Sequence, residues 1–172
     1  AAGEIPKIPI NLALLKGMKI VGVFWGAWVG MFPDENKKNF EELFKLHSDG
    51  KINPEEVDYI NAHAAGTPVG DAAEAGAIRN AFGPAAAKIP VSSTKSMSGH
   101  LISAAAAFEA LACLIAIERN MIPPTINLDN PDEDCCLRHV PHQSITSPVH
   151  VAASNSFGFG GSNLCLVLKS VA

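Results

Sequence analysis

Two loops of the sequence carry side chains that could move protons or hold a charged group. Residues 63–71 follow an apolar stretch and offer His63 as an acid or base. Residues 92–100 place Lys95 five positions before His100, just ahead of an apolar helix. A lysine and a histidine beside a helix N-terminus predict an electropositive pocket for a carboxylate or a carbonyl oxygen.

A third loop, residues 155–163, has three glycines within four positions, so its backbone can approach another group closely. Each loop also has a structural explanation. His63 could simply bond a backbone carbonyl, Lys95 could be solvated, and the glycines could form a tight hairpin between the last two strands. These alternatives stay open for each loop taken alone.

Strands and helices alternate along the chain, which predicts an α/β layered fold. The predicted strands are 19–25, 57–61, 89–93, 149–154 and 164–169, and the predicted helices are 34–50, 71–82 and 101–119. Asp71 and Glu74 have the spacing of a capping box at a helix start. The helix 101–119 is apolar nearly all round, which predicts burial on every side.

The composition excludes several classes of protein. Of the 172 residues, 48% are hydrophobic and 17% charged, which excludes a disordered chain. The net charge of −4, with no basic stripe, argues against a nucleic-acid partner. No apolar run reaches the length of a membrane span. Four cysteines without a C-x-x-C pattern indicate reduced thiols, a cytoplasmic location and no metal site.

Five strings of the sequence together resemble one family. They are VDYINAH with TPVGDAAE, VSSTKSMSGHL, PPTINLDNPD and NSFGFGGSN, in residues 54–172. This stretch resembles the β-ketoacyl synthases, the condensing enzymes of fatty acid and polyketide synthesis. The resemblance implies an α/β fold of thiolase type, of which residues 54–172 would be the C-terminal lobe.

The resemblance also implies catalytic roles. His63 and His100 match the histidine pair that polarises a thioester carbonyl and assists decarboxylation of a malonyl unit. Lys95 matches the family's active-site lysine and Glu109 its buried acidic neighbour. Phe157 matches the phenylalanine beside the acyl pocket, whose backbone N–H belongs to the oxyanion hole.

Further expectations concern substrate and partners. Thr67 and Phe159 are expected to bind substrate, Thr67 through the phosphopantetheine arm. No covalently bound cofactor is expected, since phosphopantetheine arrives on an acyl carrier protein. The family's nucleophilic cysteine belongs to the N-terminal half of its fold, so none of Cys113, Cys135, Cys136 and Cys165 is expected to be the nucleophile.

Residues 1–53 resemble a different family. The strings GEIPKIPINLALLKGMKIVGVFWGAW and NKKNFEELFKLHSDGKINP are similar to the C-terminal part of zinc-free quinone oxidoreductases, of the medium-chain dehydrogenase/reductase superfamily. This resemblance implies a strand–helix piece of Rossmann type, from which the glycine-rich nucleotide fingerprint is missing. Two domains are therefore predicted, 1–53 and 54–172.

The leading hypothesis is an acyltransferase-type condensing enzyme lobe that is inactive in condensation alone because the nucleophile lies elsewhere. His63 and His100 could still support malonyl decarboxylation without a nucleophile. A homo-oligomer or a partner half is expected to cover its apolar faces. One alternative is a non-catalytic module or split-enzyme subunit that docks with a synthase or an acyl carrier protein. A further alternative is an NADPH-dependent quinone reductase fragment.

Overall fold

The computed structural model describes residues 19–25, 54–158 and 163–171. Within them, eight strands form a six-stranded and a two-stranded sheet. The strands are β1 (Lys19–Trp25), β2 (Tyr59–Asn61), β3 (Pro90–Ser92), β4 (Met121–Ile122), β5 (Arg138–His139), β6 (Ile145–Thr146), β7 (Val151–Phe157) and β8 (Asn163–Lys169). The α-helices are α1 (Pro68–Phe82), α2 (Lys95–Ser98) and α3 (Ala105–Arg119).

The large sheet has the order β1-β8-β7-β2-β3-β5. Strands β7, β2, β3 and β5 are parallel, whereas β8 and β1 add an antiparallel edge. Strands β4 and β6 form a separate antiparallel pair. Because β2 and β3 are neighbouring parallel strands, the loops that follow them leave the same edge of the sheet, and the two predicted histidine loops are these loops.

A hydrophobic core lies on each face of the large sheet. Ile60 of β2 packs with Ile78 of α1 in one core, and Tyr59 packs with Cys113 of α3 in the other. Alternate residues of a strand point to opposite faces, which explains why neighbours along β2 belong to different cores. The result is a three-layer arrangement, helix–sheet–helix, and it confirms the predicted α/β layered fold.

Helix α1 begins three residues before the predicted start. Thr67 is its N-cap and Pro68 its first residue, a position that proline favours because it has no N–H to leave unpaired. The capping box predicted for Asp71 and Glu74 is therefore wrong, since both lie inside the helix. Gly83, with φ +52°, ends α1 as predicted.

The prediction that the third helix is buried on all sides is also wrong. Helix α3 begins at Ala105, after a 3₁₀ turn at Ile102–Ala104, and buries only one face. Phe108, Leu111 and Ile115 are 41%, 52% and 48% exposed. We call these three side chains the α3 apolar face.

Strand β1 comes from the segment predicted to be a separate domain. It pairs with β8 in seven consecutive residue pairs, from Lys19–Lys169 to Trp25–Asn163, and is an edge strand of the large sheet. The predicted helix 34–50 lies outside the described residues. No described helix is long and apolar enough to cross a membrane.

Candidate functional site

The three predicted loops meet at one small cavity. His63 follows β2, His100 follows α2, and Phe157 ends β7. These three side chains line a cavity of about 160 Å³, together with the start of α3 and of β8. Its other lining residues are Ile102, Ala105, Ala106, Ser156, Gly158, Asn163 and Leu164.

The two histidines face each other across this cavity. Their ring centroids are 5.5 Å apart and the rings are nearly perpendicular. Phe157 packs against His63 with a centroid distance of 5.3 Å. The backbone N–H of Ile102 donates to His100 Nδ1 at 3.0 Å, so the proton of a neutral His100 lies on Nε2. His100 therefore keeps one hydrogen-bond donor for another group.

His63 is a neutral imidazole at physiological pH. Burial lowers its pKa from 6.5 to about 4, and the charges of nearby Lys95 and His100 act in the same direction. Its Nδ1 is buried and has no hydrogen-bond partner among the described residues. A neutral ring of this kind can accept or donate a hydrogen bond without carrying a net charge.

We expect His63 to titrate near pH 4, measured from its Cε1–H signal by NMR and assigned with a His63→Gln variant. The folded pKa is lower than the unfolded one, so the unfolded chain takes up this proton first as the pH falls. His63 should therefore cost stability between pH 6.5 and pH 4, and His63→Gln should flatten that part of the pH profile. A midpoint near 6.5 would contradict this environment.

Lys95 does not form the expected electropositive wall. It is buried and forms an ion pair with Glu109 of α3, which is also buried. Lys95 is not among the described residues that line the cavity. The pair reaches the cavity through Ser156, whose hydroxyl lies 3.4 Å from the second carboxylate oxygen of Glu109.

Glu74 holds the His63 loop in place, a role that differs from the capping box predicted for it. Its carboxylate accepts the backbone N–H groups of His63 at 2.9 Å and Ala64 at 2.8 Å. It also accepts a hydrogen bond from Asn155 Nδ2 at 3.0 Å. One buried side chain of α1 thus holds both the His63 loop and β7. The Thr-Pro pair at 67–68 is the sequence signal that could have predicted a helix start at Pro68, and with it the position of Glu74 within α1.

Of the two predicted substrate-binding residues, the structure describes Thr67, which is not among the described residues that line the cavity. Thr67 is exposed at the N-cap of α1, and its hydroxyl makes no capping hydrogen bond. Phe159 lies outside the described residues. Phe157, predicted to lie in the loop 155–163, is the last residue of β7 and pairs with Asn163 of β8.

Three of the described cysteines have a raised thiol pKa, the opposite of what a nucleophile needs. Burial raises the pKa of Cys113 to about 12 and that of Cys165 to about 11. Burial and the nearby acidic residues, Asp132 first, raise the pKa of Cys135. No cysteine is found among the described residues that line the cavity.

The fold is similar to that of solved ketosynthases. A family model described as "Beta-ketoacyl synthase, C-terminal domain" matches residues 26–129. The chain therefore belongs to the β-ketoacyl synthase family, as part of its C-terminal region.

Named relatives agree with this assignment. The chain is 52% identical over 168 residues to 3-oxoacyl-[acyl-carrier-protein] synthase 2 of Synechocystis sp. strain PCC 6803, covering 93% of this chain and 40% of the relative. It is 49% identical over 140 residues to the protein of the same name from Coxiella burnetii, covering 81% and 34%. This chain thus spans between a third and two fifths of these relatives.

A solved structure shares the same arrangement. The AntDE:AntF complex, a type II PKS acyl-carrier protein with its ketosynthase, has a TM-score of 0.70 and 39% sequence identity, covering 73% of this chain and 31% of that one. The match to the synthase family begins at residue 26, within the segment predicted as reductase-like. The reductase resemblance is not supported by these comparisons, and the boundary at 53/54 stays a prediction.

Proposed function

We propose that this chain supplies the histidine-bearing part of a site for decarboxylative Claisen condensation. The observation that carries the proposal is the pair of imidazoles from two separate loops, 5.5 Å apart in one cavity. Hydrogen bonds from two rings to one thioester carbonyl would stabilise the negative charge that develops on its oxygen.

The reaction proposed for these residues is loss of CO₂ from a malonyl thioester. The bond between the carboxylate carbon and the α-carbon breaks, and its electron pair moves into an enolate. His100 Nε2–H and the His63 ring hold the enolate oxygen, and CO₂ leaves. The α-carbon then attacks the carbonyl carbon of an acyl thioester and expels the thiolate that carried the acyl group.

In this proposal, three neighbouring residues support the histidine pair, namely Lys95, Glu109 and Phe157. The Lys95 charge contributes to keeping His63 neutral, and Glu109 balances that charge within the fold. Phe157 fixes the orientation of the His63 ring. Thr67 and Phe159 are proposed to bind substrate, Thr67 through the phosphopantetheine arm.

The proposed partners are an acyl carrier protein and a second polypeptide segment that covers the α3 apolar face. Three large apolar side chains in a row on α3, each 41–52% exposed, support such a cover. The cover would carry the nucleophilic cysteine or belong to a second copy of the chain. Four unpaired cysteines among the described residues support a cytoplasmic location.

The test is CO₂ release from malonyl-acyl carrier protein. We expect each of His63→Ala and His100→Ala to lower the rate of decarboxylation by about 100-fold or more, because each removes one group that stabilises the enolate. His150→Ala is the control, since this histidine is exposed and does not line the cavity. An unchanged rate in the double variant His63→Ala/His100→Ala would overturn the proposal.

A further inference from the structure

A second cavity lies behind the His63 loop. Its volume is about 250 Å³, and its wall includes Ala62 and Ala64, the two neighbours of His63. His63 itself lines the first cavity. The same short segment therefore separates the two cavities, and we call the second one the rear cavity.

The rear cavity has the size and walls of a small-ligand site. Ile78 of α1, Val91 of β3 and Leu137 form apolar parts of its wall. An apolar protein cavity of about 150 Å³ accepts benzene, so about 250 Å³ accommodates an aromatic ring with a short chain. Drug-sized ligands generally need about 300 Å³ or more.

The charge around the rear cavity favours a cation. Asp71 and Asp132 line it, whereas no lysine or arginine does among the described residues. In the described hydrogen bonds, Asp71 accepts from the backbone N–H groups of residues 66 and 67 through one carboxylate oxygen. Asp132 likewise accepts from the backbone N–H of residue 134 through one oxygen. The nearby Arg79 guanidinium donates to the carbonyl oxygens of Asp134 and Cys136.

An unpartnered polar side chain in the wall is a second, independent observation. Ser93 lines the rear cavity and is 4% exposed. Its Oγ is buried and has no hydrogen-bond partner among the described residues. Buried hydroxyl groups are nearly always hydrogen-bonded, so this unpaired hydroxyl in the wall indicates a partner that the described residues do not supply, such as a ligand or a water that a ligand holds.

We propose that the rear cavity binds a small amphiphile with one ammonium group and an apolar body of about one aromatic ring. The ammonium group would lie between Asp71 and Asp132, and the apolar body would lie against Ile78 and Leu137. Such a ligand would also contact Glu74, which holds the His63 backbone. Binding there would therefore shift the His63 loop.

The first test is a titration of the full chain with 2-phenylethylamine, followed by NMR. We expect saturable binding with a Kd of about 1 mM, typical of a ligand of this size. The neutral probe 2-phenylethanol should bind about 5-fold more weakly or worse, because it cannot pair with the aspartates. Absence of saturable binding, or equal affinity for both probes, would overturn the proposal.

Variants locate the site. Ala75→Phe fills the rear cavity from α1 and should abolish binding. Asp132→Asn removes the charge but keeps a residue that can cap the short helix after it. It should weaken binding of 2-phenylethylamine about 5-fold. This variant tests the site even if Ala75→Phe does not fold. Glu118→Gln, on the exposed surface of α3, is the charge-matched control. Binding that Asp132→Asn leaves unchanged would contradict the assignment.

The link to His63 has its own readout. Saturation with 2-phenylethylamine should shift the His63 Cε1–H signal, while the signal of exposed His150 stays in place. Binding without a shift of His63 would leave a ligand site and overturn the coupling. Neither result depends on decarboxylation, so failure here and failure of the proposed reaction are distinguishable.

Discussion

Replacing Glu109 by glutamine is expected to destabilise the fold by about 3–5 kcal/mol, the usual cost of breaking a buried ion pair from one side. Glu109 is 1% exposed and Lys95 is 7% exposed, so water cannot solvate the lysine that remains. Glutamine has nearly the same shape, so the loss comes from charge and not from a cavity. The measurement is the free energy of unfolding from urea titration.

Two further variants test whether Lys95 and Glu109 stabilise the fold as a direct pair. Lys95→Met should be similarly destabilised, because it leaves the Glu109 carboxylate buried without its cation. The double variant Lys95→Met/Glu109→Gln should be more stable than the sum of the single effects predicts, by about 1–3 kcal/mol. Additive effects would contradict a direct pair.

The same helix provides a matched control. Glu118 and Arg119 form an ion pair at 4.0 Å with both side chains more than half exposed. Glu118→Gln should change the free energy of unfolding by well under about 1 kcal/mol, because solvent screens this pair. A comparable loss in Glu118→Gln would mean that charge on α3, and not the buried pair, determines stability.

The layered fold could be predicted from the sequence because its elements have strong local signals. The run at 19–25 is rich in β-branched residues and forms β1 over the same residues. Gly83 follows the last turn of α1 and ends it. These signals act within a few residues and need no knowledge of the partner strands.

The position of His63 relative to His100 follows from topology. Each residue follows one of the neighbouring parallel strands β2 and β3, so both loops leave the same edge. The sequence indicated loops after strands but not the strand order. Here the family resemblance supplied what the local pattern lacked, namely that the two loops belong to one site.

Burial was the part that the sequence could not determine. An apolar side chain at 108, 111 or 115 looks the same whether the same chain or another covers it, and here all three are exposed. Lys95 is the opposite case, because its local sequence suggested solvent or a pocket wall, and only the family resemblance implied a buried acidic neighbour. Its burial depends on a carboxylate 14 residues later, on another helix.

Glu74→Ala is expected to destabilise the fold by about 2–4 kcal/mol and to release the His63 loop. The variant leaves the backbone N–H groups of His63 and Ala64 without their acceptor, along with the Asn155 amide. Hydrogen bonds to a carboxylate are stronger than neutral ones, and a buried unpaired N–H costs about 1–3 kcal/mol. Urea titration measures the stability, and the His63 Cε1–H signal measures the loop.

Glu74→Gln tests how much each carboxylate oxygen of Glu74 contributes to stability. One oxygen of Glu74 accepts from His63 and Asn155, and the other accepts from Ala64. Glutamine can keep the first two bonds but must turn its NH₂ group toward the Ala64 N–H. We therefore expect a loss of about 1–3 kcal/mol, smaller than for alanine.

Asp71→Asn is the control on α1. Asp71 accepts two longer bonds, 3.2 and 3.3 Å, from Gly66 and Thr67 in an exposed setting, so its loss should be well below that of Glu74→Ala. Equal losses would mean that any acidic residue on α1 supports the loop.

The pH dependence gives Glu74 a distinct signature. Burial raises its pKa above 4.5, so the folded chain takes up this proton before the unfolded chain as the pH falls. The stability from this proton is fully present below pH 4.5 and is lost as the pH rises through the folded pKa. Wild type should therefore gain stability over Glu74→Gln between neutral pH and pH 4.5, and a constant difference would show that the carboxylate is not buried.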